Sequence, residues 1–98
     1  MFEIAMGENG TVVLSGRLDS AQVAKAQAFF DTVESPEVLD FGELDYISSA
    51  GLGVLLVVQK RVMSAGSGLT IININKHIGD IFRFSGFDKI FRIEHKRD

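Results

Sequence analysis

Apolar and polar positions alternate with a period of two at the start of the chain. Phe2, Ile4 and Met6 fall on one side with Glu3 and Ala5 between them, which predicts a strand. Gly7-Glu8-Asn9-Gly10 is turn chemistry and Thr11-Val12-Val13-Leu14-Ser15-Gly16 is rich in β-formers, so the two segments read as a hairpin. The period then changes. Val23, Ala26, Phe30 and Val33 recur at helical spacing, with Phe29 on the shoulder and Lys25 and Gln27 on the other side. Asp19 or Ser20 can cap this helix by accepting an orphan backbone N–H, and it is expected to end near Val33, ahead of Ser35-Pro36.

Val38-Leu39-Asp40-Phe41 predicts a short strand, and Gly42-Glu43-Leu44-Asp45-Tyr46 leads from it to the apolar Ile47. The run Leu52–Val58 fits a buried strand or a helix on periodicity alone, and its flanks decide. A serine precedes it, Lys60 and Arg61 suit a helix C-terminus, and Gly66 can follow the last turn, so residues 50–65 predict a helix. On a helical wheel Leu52, Leu55, Leu56, Val58, Val62 and Met63 form the core face, Gln59 joins them without an obvious reason, and Val57 and Val54 are expected outside. Leu69–Ile74 predicts a strand. Asn75 caps a short helix with Ile78, Ile81 and Phe82 inward, closed by Ser85-Gly86, and Phe87–Ile93 alternates into a last strand. The order β-β-α-β-α-β-α-β predicts a single α/β domain over residues 1–98, a mixed and largely parallel sheet of about five strands with three helices.

Composition narrows the function. The length of 98 residues suits one domain, and 46% hydrophobic residues with eight Phe supply one core. A net charge of −3 without a basic stripe excludes a nucleic-acid footprint. No apolar run approaches the ~20 residues of a membrane span, and the Met1-Phe2-Glu3 start has no signal-peptide character, so a cytoplasmic protein without membrane insertion is expected. Without Cys, and with His77 and His95 lacking partners at ligand spacing, neither a metal site nor another cofactor is expected. Ser49 with either His lacks a nucleophile elbow and an orienting acid, and no catalytic residue is assigned.

The chemistry concentrates at Asp45-Tyr46-Ile47-Ser48-Ser49-Ala50-Gly51-Leu52-Gly53. A serine at a strand-to-helix turn presents its hydroxyl at a helix N-terminus, where free N–H groups of Ala50, Gly51 and Leu52 and the macrodipole favour an anion. Gly51 and Gly53 would leave the surface open to another chain. On these residues alone the plainer reading, Ser49 as a helix cap only, is the preferred one.

That stretch resembles the signature of the STAS family (sulphate transporter and anti-sigma-factor antagonist), Asp-Ser-Ser/Ala-Gly-Leu-Gly after an aromatic or apolar residue. Leu14-Ser15-Gly16-Arg17-Leu18-Asp19 is similar to the family's Leu-x-Gly-x-Leu-Asp, Leu39-Asp40-Phe41 to its third strand, and Phe84–Phe91 to its closing element. The resemblance implies that Ser49, two before Gly51, is the phosphoacceptor, with Asp19 as the acidic neighbour. The family's Asp before the acceptor is Ser48 here, which leaves two adjacent hydroxyls, and spacing to Gly51 selects Ser49. Many members also carry a final helix after the last strand, for which Glu94–Asp98 leaves little room, so one sheet face is expected to be less covered.

The resemblance implies a protein-binding switch and not an enzyme. Its surface of Asp19, Ser48, Gly51, Gly53, Val54 and Val57 would bind an anti-sigma factor serine kinase, phosphorylation of Ser49 would break that contact, and a PP2C-type phosphatase would restore it. Exposed Val54 and Val57 would also allow a weak homodimer. Two rivals stand beside it: a scaffold in which Ser49 is never modified, favoured by Ser48 in place of Asp, and an accessory subunit of a stress-signalling or membrane-transport complex.

Overall fold

The computed structural model describes residues 1–95. Its strands are β1 (Phe2–Met6), β2 (Val12–Leu18), β3 (Val38–Ile47), β4 (Thr70–Ile74) and β5 (Arg92–His95), lying side by side in chain order. The β1–β2 pair is antiparallel and the other three pairs are parallel. Each parallel pair needs a crossover, and right-handed crossovers between strands laid down in sequence all fall on one side. The helices α1 (Val23–Asp31), α2 (Ser49–Ser64) and α3 (Lys76–Ser85) therefore cover one face of the sheet.

Burial follows that topology. Val12, Leu14, Leu18, Leu39, Phe41, Leu44, Ile47, Ile71 and Ile74 point into the helix layer and are buried, while Val13, Ser15, Asp40, Thr70 and Ile72 on the other face stay half-exposed. A shallow groove crosses that second face between Val13, Asp40 and Ile72. Phe82 closes the far end of the core edge-to-face against Phe41, Phe87 and Phe91, at ring distances of 6.2, 6.3 and 5.8 Å.

Three boundaries differ from the sequence expectation. β3 continues from Val38 to Ile47 rather than stopping at Phe41, because two register shifts against β2 absorb extra residues and keep Leu44 and Ile47 on the core face. The last strand begins only at Arg92, since Phe87–Lys89 forms a 3-10 turn. α1 stops at Asp31, short of Val33, where Arg61 donates to the carbonyls of Phe30 and Val33.

Gly16 explains part of the β1–β2 geometry. It sits at φ +85, and a Cβ there would fall on the Met1 carbonyl, which accepts a hydrogen bond from the Arg17 N–H at 2.9 Å. Gln59 also finds its reason. Only 3% exposed, it accepts from the Leu69 N–H at 2.8 Å and donates to the Ile90 carbonyl at 2.7 Å. One buried amide thus ties α2 to the segments entering β4 and β5.

Candidate functional site

Three side chains cap the turns that follow parallel strands. Asp19 accepts from the Ala21 N–H at 3.1 Å and starts the 3-10 turn Ser20–Gln22 ahead of α1. Ser48 accepts from the Gly51 N–H at 3.2 Å and starts α2, and Asn75 accepts from the Ile78 N–H at 2.8 Å and starts α3. The Asp19 and Ser48 turns are neighbours: Leu18 pairs with Ile47, and the Ser48 N–H donates to the Leu18 carbonyl at 2.9 Å. In an open α/β sheet such carboxyl ends are where ligands and partners meet the fold.

The two adjacent serines have different tasks. Ser48 is the N-cap and half-buried, and Ser49 is the first residue of α2, not its cap. The Ser49 side chain is exposed, and its hydroxyl has no hydrogen-bond partner among the described residues. The expected row of free amides is shorter than the sequence suggested. The Gly51 N–H goes to the Ser48 hydroxyl and the Leu52 N–H to the Ser48 carbonyl at 2.9 Å, which leaves the N–H groups of Ser49 and Ala50 beside the hydroxyl.

Removing the cap should weaken the helix without touching Ser49. Ser48→Ala is expected to cost about 1 kcal/mol, roughly 4–8 °C in melting temperature for a domain of this size. Thermal unfolding checks this, and an unchanged midpoint would mean that the Ser48 bond contributes nothing.

Two expected contact residues are corrected. Val54 is only 6% exposed and belongs to the core, on a helix that packs against both α1 and the Ser20–Gln22 turn. It cannot meet a partner, whereas Val57 is 58% exposed and stays available. Gly51 is buried too. A Cβ there would lie 2.8 Å from the Leu18 carbonyl oxygen and 2.9 Å from the Leu18 and Ile47 side chains, so this glycine lets α2 approach the sheet. Gly53 is the surface glycine, with nothing within 4 Å of a Cβ. Met63, expected in the core, is 55% exposed.

A shallow groove runs beside Ser49, walled by Tyr46 and Leu52 on one side and by Ile81 and Phe84 of α3 on the other. Phe84 is 81% exposed, and the Arg83 guanidinium lies 5.2 Å from its ring centroid. Arg17 takes the equivalent place over Tyr46. Neither Arg17 nor Phe84 stood out in the sequence, although both belong to segments with family resemblance. Arg83 is bonded to Asp80 at 2.9 Å. Desolvation pushes the Asp80 carboxyl up, and the hydrogen bonds and charges of Lys76 and Arg83 hold it below the usual carboxylate range. The described residues hold no group of three metal-ligating side chains, and none of their helices is long and apolar enough to cross a membrane.

A family model described as "Mlab, STAS domain" matches residues 3–93. A protein of Bordetella bronchiseptica named as a candidate anti-sigma factor antagonist, BtrV, is 38% identical over 89 residues, which covers 87% of this chain and 77% of that protein. A candidate anti-sigma factor antagonist from Thermotoga maritima superposes with a TM-score of 0.78 at 18% identity, over 96% of this chain and 86% of that one. The anti-sigma factor antagonist SpoIIAA does so in its unphosphorylated form with a TM-score of 0.69 at 20% identity, over 100% and 90%. Its phosphorylated form, from Bacillus, gives 0.68 at 22%, over 95% and 90%. At these identities the three structures speak for the fold.

Proposed function

The chain belongs to the STAS domain family and is related to a protein named as an anti-sigma factor antagonist, and from that premise we propose that it is a protein-binding switch set by phosphorylation of Ser49. Such antagonists are regulators and not enzymes. In this reading one cytoplasmic domain, residues 1–98, presents Asp19, Ser49, Gly53 and Val57 to an anti-sigma factor that is also a serine kinase. The Ser49 hydroxyl oxygen attacks the γ-phosphorus of the kinase's ATP, the bond to the β-phosphate breaks, and ADP leaves while the serine proton passes to a base of the kinase. A PP2C-type phosphatase returns the serine by hydrolysis and releases inorganic phosphate.

What most supports this is the division of labour between the serines. Ser48 carries the structural bond, so Ser49 is an exposed hydroxyl without a structural duty, held on the first turn of a long helix. Phosphate there adds roughly −1.5 to −2 charge and gains from the helix terminus, and nothing needs to unfold to receive it. A partner surface fitted to the neutral hydroxyl would meet both the charge and the bulk.

Intact-mass measurement with ATP and the anti-sigma kinases of the same genome tests the proposal. The unaltered chain and Ser48→Ala are expected to gain one phosphate and Ser49→Ala none. A phosphate retained in Ser49→Ala and lost in Ser48→Ala would move the site by one residue and refute it. The rival scaffold draws support from Ser48 standing where the family has Asp. Tight partner binding with no phosphate under any of these kinases would establish that rival instead.

A further inference from the structure

Arg17 is set apart by where it stands and by what it lacks. It lies on β2 opposite Tyr46 of β3, with its guanidinium carbon 4.3 Å from the centroid of the Tyr46 ring. Tyr46 lines the groove that holds Ser49, and Arg17 rests on the ring of that residue from the neighbouring strand. Acidic residues outnumber basic ones, 13 to 10, and yet no carboxylate among the described residues is in ion-pair contact with Arg17. Asp19, two residues away, turns its carboxylate to the Ala21 N–H instead. The other arginine at the groove, Arg83, already has Asp80 at 2.9 Å.

We propose that Arg17 is the internal charge partner of phosphorylated Ser49: it rests on Tyr46 while the hydroxyl is free and turns to the phosphate once that is attached. The idea rests on Ser49 being the modified residue. A ring face holds an exposed guanidinium weakly, and a phosphate offers charge-assisted hydrogen bonds that are considerably stronger. The Arg17 backbone keeps its place in this rearrangement, since its N–H is bonded to the Met1 carbonyl at 2.9 Å. One modification would then alter the surface twice. It adds a dianion and withdraws the cation that the unmodified chain offers to an acidic group on its partner.

Phosphoserine placed at position 49 during translation makes the test independent of any kinase. A chain that no kinase modifies would overturn the proposal of the preceding section and leave this measurement intact. Phosphorus NMR titration is expected to give the phosphoserine a second pKa about half a unit lower in the otherwise unaltered chain than in Arg17→Gln, because a nearby cation favours the dianion. Arg17 is exposed, so the unmodified Arg17→Gln chain should melt with the parent. The Arg17 Nε–H resonance of the parent sequence needs no variant, and it should shift when residue 49 carries phosphate and follow the same titration. Equal phosphoserine titrations with and without Arg17, or an Arg17 resonance indifferent to the phosphate, would overturn the proposal.

Discussion

Gly51→Ala is expected to lower stability by about 2 kcal/mol and Gly53→Ala to raise it by about 0.5–1 kcal/mol, although both replace a glycine of one motif on one helix. Alanine favours a helix over glycine by about 1 kcal/mol wherever there is room for its methyl group. At Gly53 there is room, since nothing lies within 4 Å of the added carbon. At Gly51 the carbon meets the Leu18 carbonyl oxygen at 2.8 Å and two core carbons at 2.9 Å. The oxygen belongs to a strand backbone that also accepts the Ser48 N–H, so neither side can retreat without disturbing the turn. Overpacking of this kind costs about 1–3 kcal/mol and occasionally more, which exceeds the propensity gain. Urea unfolding of the two variants gives the answer directly. Shifts of the same sign would show that the close approach of α2 to Leu18 is not what Gly51 provides.

The contrast shows what the sequence could and could not convey. The hairpin, the helix over residues 50–65 and the Asn75 cap were legible because each has a strong local signal: alternation, flanking charge, or a capping side chain before an apolar repeat. β3 was half legible. Its buried residues Leu39, Phe41, Leu44 and Ile47 are spaced two, three and three apart, and bulges produce that spacing where a regular strand would keep two. Val54 and Met63 were misplaced because a wheel drawn around one helix knows nothing of its neighbours. Which side of α2 is covered is set by its packing against neighbours such as α1 and the Ser20–Gln22 turn, and the outcome is a buried Val54 and an exposed Met63.

At the candidate site, the motif marked the turn ahead of α2, and the structure divides its parts differently. Ser48 rather than Ser49 is the cap, and Gly51 serves the core while Gly53 serves the surface. Both divisions follow from a single fact that sequence does not carry, the one-residue phase at which α2 begins. Starting at Ser49 puts residue 51 against Leu18 and turns residue 53 outward. The same phase leaves the Ser49 hydroxyl without a hydrogen-bond partner among the described residues.

Gln59→Leu is expected to cost about 3 kcal/mol although it adds no bulk. The apolar side chain fits the buried position in size, but it leaves the Leu69 N–H and the Ile90 carbonyl without their partner. Each unpaired buried group costs about 1–3 kcal/mol, and burying a leucine in place of an amide recovers only part of that. Gln59→Glu separates hydrogen bonding from size. The introduced carboxyl keeps an acceptor for the Leu69 N–H, and only its protonated form can donate to the Ile90 carbonyl. Burial and that carbonyl both raise its pKa in the folded state above the unfolded value of about 4.3. The stability it retains is therefore fully present below that unfolded value and is lost as pH rises through the folded one. Unfolding of Gln59→Glu across the acidic range should show it closest to the parent at low pH and furthest from it near neutrality, with Gln59→Leu offset by a constant amount. A Gln59→Glu chain whose deficit does not grow with pH would mean that water reaches this amide and the two backbone groups it joins.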